Sequence, residues 1–472
     1  MTRESGPPPF DRRVAALAAI AFFMEILDGT IIQTATPSIA HGFGTTPQNV
    51  TVAITGYFAA VAVGTPLSVW VAERVGIRRT FIVASCVFTV ASLLCAFAGS
   101  LVPLLLARIL QGAGGAFMVP VGRQSVLQTT KSAGLVRAIA YLTWPGLLAP
   151  VAAPVLGGAL TDAFGWPWIF IVNVPIGIGM IIAAAIVLPR SQLRPRRSLD
   201  WIGFALVSGA LTLVTLGAQS LSSPGVPTAL SIAAVAVGLG AAVAAWLYLR
   251  ASSRPLFTLR TLAIPTFRVG NISGSVYRLT ITSVPLLLTL LFQIGFGWSA
   301  TQAGLVLIAL FAGNIAIKPA TSPLLRKLGF RTVLIWSNLL GLATLIAISI
   351  AASSTSIVVT AALLFLGGVF RSVGFTAYGT IQFADVPDAV KGDANALSST
   401  FQQAATTLGV AAAALFVSVG FELSRAMAGS AEAAYRIAFL PTAALLLIPL
   451  VGAIVLPKRA GDVVVRRGTV EA

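Results

Sequence analysis

Residues 14–39 read VAALAAIAFFMEILDGTIIQTATPSI. A helix of this length spans the roughly 30 Å hydrocarbon core of a bilayer, yet it carries two carboxylates, Glu25 and Asp28, one helical turn apart. In lipid an ionised Asp or Glu costs roughly 2.5 to 3.5 kcal/mol on insertion scales, so such residues persist mainly where they face a protein interior or a water-filled path. Counting about 1.5 Å per residue from a cytoplasmic start near position 14 puts Glu25 about 17 Å and Asp28 about 21 Å deep, at and just beyond the middle of the membrane. The placement marks a proton or cation site.

The surrounding chain is of the same kind. Over 472 residues, 57% are hydrophobic, only 10% are charged and the mean hydropathy is +0.93, whereas a soluble domain is about 25% charged. Apolar runs fall at 14–39, 50–72, 80–99, 101–122, 137–161, 167–188, 201–219, 228–249, 267–292, 301–323, 332–351, 356–382, 394–420 and 436–456. The fold class is therefore an all-α polytopic membrane protein with fourteen spans. Lys and Arg accumulate in short cytoplasmic loops; with both termini inside, only Arg425 and Arg436 fall outside, and Arg108, Arg278, Lys318 and Arg371 fall within helices. The net charge of +17 thus reflects topology and contact with anionic lipid headgroups, not nucleic-acid binding.

The polar, Pro-rich stretch 1–13 and the long acid-bearing helix after it differ from a cleavable signal peptide. Cys86 and Cys95 lie on nearly opposite sides of the third helix and read as inert thiols, and the single histidine, His41, has no partner ligands for a metal. Basic and polar linkers divide the chain into an N-terminal six-helix bundle (1–190), a linker segment with two additional helices (191–264), a C-terminal six-helix bundle (265–457) and a cytoplasmic tail (458–472). The inserted pair has no Asp, Glu, Lys or Arg between Asp200 and Arg250, which suits a peripheral packing or lipid-facing hairpin. Glu73-Arg74-Val75-Gly76-Ile77-Arg78, after the second helix, is echoed by Arg326-Lys327-Leu328-Gly329-Phe330-Arg331 at the same station of the last six helices. That matched position supports two homologous bundles, the parallel-repeat plan of many secondary transporters.

Five motifs in order carry a family resemblance. They are Leu27-Asp28-Gly29-Thr30-Ile31-Ile32-Gln33-Thr34-Ala35 in helix 1, the loop around Gly76, Arg108-Ile109-Leu110-Gln111-Gly112-Ala113-Gly114-Gly115 in helix 4, Pro154-Val155-Leu156-Gly157-Gly158 in helix 5, and Trp168-Ile169-Phe170-Ile171-Val172-Asn173-Val174-Pro175 in helix 6. The chain resembles the fourteen-helix drug/proton antiporter branch of the major facilitator superfamily over essentially its whole length. The resemblance implies two six-helix bundles plus two inserted helices, in the cytoplasmic (inner) membrane of a bacterium. It also implies a monomer that exports small lipophilic or drug-like compounds by alternating access, driven by the proton gradient without a cofactor. The sequence departs from the family pattern at Val69 and Glu73 in the loop motif and at Ala149 and Ala153 in helix 5, and Glu25 lies outside the helix 1 signature.

The residues offer roles and alternatives. A buried carboxyl beside a like-charged neighbour holds a proton more readily, so Glu25 and Asp28 are candidates for proton exchange, with Asp28 expected to be the main coupling carboxylate because it pairs a family-matching position with a depth similar to that of Arg108; the other reading is an acid kept ionised by an interior Arg. Arg108 reaches a depth similar to that of Asp28, and the resemblance assigns it to proton coupling, with a structural ion pair as the alternative; Gln111 lies one turn on. Gly112 to Gly115 follows no strand, so it reads as close helix packing and not as a phosphate loop. Pro150, Pro154, Gly157 and Gly158 weaken helix 5; the resemblance implies a hinge there, and a tolerated kink is the plainer reading. Glu73, Arg74, Gly76, Arg78, Gly329 and Arg331 are the gating candidates of the two loops. For the substrate cavity the candidates are Gln111, Tyr141, Trp144, Arg278, Lys318, Arg371 and Gln402, with Tyr378 and Phe375 as further aromatics. Lys318 can also snorkel to the inner interface, and Gln402 and Gln403 point about 100° apart, so one at most faces a cavity.

No His pair, Cys cluster or Ser/His arrangement supports a membrane enzyme. Export of organic anions, such as carboxylate metabolites or their metal chelates, is the alternative that the acid-free cations of the second bundle suggest, and a passive channel is a third. The fourteen-span topology predicts that a single cysteine at Ser222 labels from outside and one at Ser191 only after permeabilisation; the opposite labelling refutes it.

Overall fold

The structure is a computed structural model that describes residues 11–130, 134–189, 198–221, 226–298, 300–427 and 429–465. Most of the basic linker, Ser191 and Ser222 lie outside the described residues. The long helices are α1 (Arg12–Gly42), α2 (Pro47–Val75), α3 (Ile77–Ala96), α4 (Leu101–Thr129), α5 (Leu135–Phe164), α6 (Trp168–Val187) and α7 (Trp201–Leu221). They continue as α8 (Thr228–Ala251), α9 (Pro265–Gly295), α10 (Ala300–Ala316), α11 (Lys318–Ile350), α12 (Ile357–Ala384), α13 (Lys391–Ala426) and α14 (Glu432–Val455). Eleven stretches among the described residues are long and apolar enough to cross a membrane, and α5, α10 and α13 account for the other three runs read from the sequence. Helices suit this solvent because they satisfy every backbone group internally. Hydroxyls follow the same rule: Thr30 Oγ1 donates to Ile26 O at 2.7 Å and Thr65 Oγ1 to Val61 O at 2.7 Å.

One compact unit comprises Met1–Leu259 and Pro387–Thr400. In lipid, helices associate through close packing and small residues more than through hydrophobic expulsion, and the helix 4 glycines show how. A methyl group at Gly114 would lie 2.8 Å from Phe88 N and 2.9 Å from Ala84 O of α3, while one at Gly112 would strike the Tyr57 carbonyl of α2. Two glycines two residues apart thus admit two different neighbours. Met24, Tyr57, Phe81, Phe88 and Met118 fill the core they leave. The inserted helices α7 and α8 belong to this unit: Ser208 Oγ donates to Val63 O of α2 at 3.0 Å. Asp200 closes the pair, accepting from Gly203 N at 2.9 Å, Tyr248 Oη at 3.0 Å and Leu256 N at 3.0 Å.

The other unit comprises Arg260–Val386 and Phe401–Ala472. Helices α10 and α12 cross at a reciprocal glycine contact, Gly313 against Phe365 O and Gly368 against Leu310 O. The loop echo is visible in the backbone. Gly76 ends α2 with φ 99°, and Gly329 interrupts α11 with φ 77° and ψ 160°, a left-handed φ that L side chains rarely adopt. Two boundaries differ from the sequence reading. The run read as 301–323 breaks at Ile317, because Pro319 lacks the N–H that would continue the helix. Helix α4 continues to Thr129, so Arg123, read as a cytoplasmic loop residue, is buried within a helix.

The α10–α12 crossing predicts that Gly368→Ala, which forces a methyl onto the Leu310 carbonyl, destabilises the protein by about 1–3 kcal/mol. Thermal unfolding of the purified protein measures this, and an unshifted transition removes the contact from the account.

Candidate functional site

Asp28 is fully buried on α1, and three side chains from two other helices donate to it. Its Oδ2 accepts from Arg108 Nη1 at 2.6 Å, and its Oδ1 accepts from Gln111 Nε2 at 2.8 Å and from Asn173 Nδ2 at 2.8 Å. Arg108 Nη1 also donates to Gln111 Oε1 at 2.6 Å, and Gln111 Nε2 donates to Ser92 Oγ at 2.7 Å. Arg108 and Gln111 both point inward because they lie one turn apart on α4. Asn173 arrives from α6, just after the break at Val172. The Arg108 guanidinium carbon lies 4.2 Å from the Tyr57 ring centroid and 5.8 Å from that of Phe170, while Nε and Nη2 find no hydrogen-bond partner among the described residues. The rings compensate part of that charge. Cys95, also buried, points its thiol at Gln111 Oε1, 3.7 Å away.

Glu25, one turn earlier on α1, stands outside this cage. Its Oε2 is buried and has no hydrogen-bond partner among the described residues. Tyr57 Oη meets the Glu25 backbone carbonyl at 3.5 Å. The sequence-derived trio is therefore divided, with Asp28 and Arg108 in direct contact and Glu25 beside them.

In the other unit, a small cleft of about 20 Å³ has Tyr277, Arg278, Phe375, Tyr378, Gln382 and Gln402 among its lining residues, room for about one water molecule. Arg278 lies 4.4 Å from the Phe375 centroid. Gln402 lines the cleft and Gln403 does not. Lys318 Nζ donates to Thr376 Oγ1 at 2.9 Å, and Arg371 keeps Nε and Nη1 buried without a hydrogen bond among the described residues. Neither Lys318 nor Arg371 lines this cleft. Tyr141 and Trp144 on α5 are 40% and 38% exposed, so they are not core residues.

The loop and hinge candidates divide as well. Arg78 Nη2 donates to Ala185 O at the end of α6, Arg74 lies over Trp70, and the Glu73 carboxylate lies against Gly392 at the start of α13. Arg331 keeps its Nε without a partner among the described residues. Helix α5 runs unbroken through Pro150 and Pro154. A methyl group at Gly157 would meet Ile31 and Thr34 of α1, whereas Gly158 faces open space.

The sequence reading gave no role to Asn173, Ser92 or Tyr57. Asn173 carried a signal, being the only side-chain amide in Trp168–Val187; Ser92 looked no different from Ser85 or Thr89. Arg123 was missed too. Its Nε donates to Asn395 Oδ1 at 2.7 Å and its Nη2 to Ser399 Oγ, while Asn395 Nδ2 donates to Pro120 O at 2.9 Å.

The fold and the site define a polytopic helical membrane protein with a charged pair caged in its interior. Residues 18–265 and 270–470 match the Major Facilitator Superfamily, and the chain belongs to that family, a transporter and not an enzyme. Proteins named multidrug resistance protein MdtD are similar over nearly the whole length. That of Pectobacterium carotovorum subsp. carotovorum (strain PC1) is 34% identical over 88% of this chain and 89% of its own. That of Escherichia coli (strain K12 / DH10B) is 34% identical over 92% of each. Among solved structures, the human organic anion transporter MFSD10 superposes with a TM-score of 0.65 at 14% identity, covering 95% of this chain and all (100%) of that one. The proton:xylose symporter XylE superposes with a TM-score of 0.62 at 13% identity, covering 95% and 96%. At these identities the two structures speak for the fold alone.

Breaking a buried ion pair from one side strands the other charge. Asp28→Asn and Arg108→Gln are each expected to lose about 3–5 kcal/mol, and the double variant to lose less than the sum. Thermal unfolding of the four proteins decides it, and strictly additive losses mean that the pair is not coupled.

Proposed function

We propose that this protein exports small lipophilic or drug-like compounds across the bacterial cytoplasmic membrane in exchange for protons, by alternating access, as a monomer with both termini in the cytoplasm. The observation that carries the reading is the buried Asp28–Arg108 pair with Glu25 one turn away. Carboxylates and a permanently charged guanidinium at mid-membrane depth have a use in a protein that moves protons. The similarity to the MdtD proteins supports a drug-like cargo. The proton gradient supplies the work: about 1.4 kcal/mol per pH unit and about 2.3 kcal/mol per charge per 100 mV. No nucleotide or cofactor enters the cycle, and the partners are the small-molecule substrate, protons and membrane lipid.

A second reading is export of organic anions. It is favoured by Arg371, whose Nε and Nη1 lack hydrogen bonds among the described residues, and by the cleft beside Arg278, whose lining includes no carboxylate. Buried charges usually need partners, and a substrate carboxylate supplies one.

Sealed proteoliposomes with an imposed pH gradient, offered cationic, neutral and anionic compounds, are expected to accumulate drug-like substrates against their concentration gradient. Indifference to the pH gradient rejects antiport and points to a channel. Loss of anion transport alone in Arg278→Gln and Arg371→Gln favours the second reading, and unchanged anion handling in both removes it.

A further inference from the structure

The two acids of α1 lie one turn apart in different chemical settings. Both oxygens of Asp28 are taken by donors: Arg108 on Oδ2, Gln111 and Asn173 on Oδ1. The three donors hold three of the roughly four lone-pair sites of the carboxylate, and a proton on Asp28 would cancel the charge that pairs with the buried Arg108. Glu25 has the opposite arrangement. Its Oε2 is buried with no donor among the described residues, and a bare carboxylate oxygen in that position carries an uncompensated desolvation cost. A proton removes the cost without moving a helix.

We propose that Glu25 is the residue that carries the exchanged proton, and that Asp28 is a fixed counter-charge that holds Arg108 in place. The ionisable groups around Glu25 fit this division. Asp28 on its own helix and Tyr57 on α2 are within electrostatic reach of it, and Arg108 of α4 is turned to Asp28. Helix α6 contributes the neutral Asn173 to the same cage. On α5, Gly146 packs against Phe22 and Ile26, and residues 144–158 include no ionisable side chain. The step is a dissociation, Glu25 carboxylic acid giving Glu25 carboxylate and one free proton. Because Asp28 and Arg108 cancel throughout, the site passes between net charge zero and minus one. One proton is bound and then released at this site in each cycle.

This assignment deepens the antiport reading and rests on it for the use made of the proton, but its test needs no substrate. In infrared difference spectra of the purified full-length protein, taken between acid and alkaline buffer, the wild type should show a protonated-carboxyl C=O band from a desolvated acid that disappears as pH rises. Glu25→Gln should abolish the band, Glu25→Asp should restore it at shifted frequency, and the paired variant Asp28→Asn/Arg108→Gln should keep it. Persistence of the band in Glu25→Gln, or its loss in the paired variant, overturns the assignment. A Glu25-dependent band in a protein that shows no gradient-driven uptake leaves Glu25 as a proton site and rejects antiport alone.

Discussion

The contact between Asp28 and Arg108 sets the terms for the first helical unit. A charge in a bilayer interior must be compensated or it prevents insertion, and here neither partner is satisfied by the other alone. Gln111, Asn173 and Ser92 complete the hydrogen bonds and the Tyr57 ring covers the guanidinium face, so α1, α2, α3, α4 and α6 must all converge at one depth. That convergence explains the glycines of helix 4. Gly112 and Gly114 let α2 and α3 approach α4 closely, one turn beyond the arginine that needs them near. The packing motif and the polar motif overlap in sequence because they serve one contact.

The second unit handles its charge differently. Arg278 rests on Phe375 and Lys318 donates to Thr376, weaker forms of compensation than a carboxylate. Arg371 keeps Nε and Nη1 buried without a hydrogen bond among the described residues. Two units with the same Gly76 and Gly329 turn signature therefore hold different chemistry, an ion pair in one and cations set against a ring and a hydroxyl in the other.

Much of this was legible in the sequence, and the failures have physical causes. Hydropathy located the spans because a membrane helix must be apolar over about 20 residues. It misplaced the end of α4 because Arg123 looks like a loop cation, when its charge is absorbed by Asn395 and Ser399 from a distant part of the chain. It misplaced the break at Ile317 because Pro319 sits inside an apolar run, where composition says nothing about a missing backbone donor. The Asp28–Arg108 pairing could be read from matched depth. The cage around it could not, since Ser92 differs from neighbouring hydroxyls only in which way it points, and that is fixed by helix rotation.

The use of neutral amides around Asp28 has an electrical consequence. Had Gln111 or Asn173 been lysine, the cage would carry a net positive charge and Glu25 would be held as a carboxylate by its surroundings; had either been acidic, the repulsion would have strained the ion pair. Gln and Asn donate to Asp28 while adding no charge, so the caged group stays neutral and Glu25 alone sets the charge of the site. With Glu25 as the carrier, exchange of one proton for a monovalent cation moves no net charge across the membrane. Exchange for a neutral compound moves one, and that cycle draws on about 2.3 kcal/mol per 100 mV of membrane potential. The electrical part of the driving force then depends on the charge of what is carried.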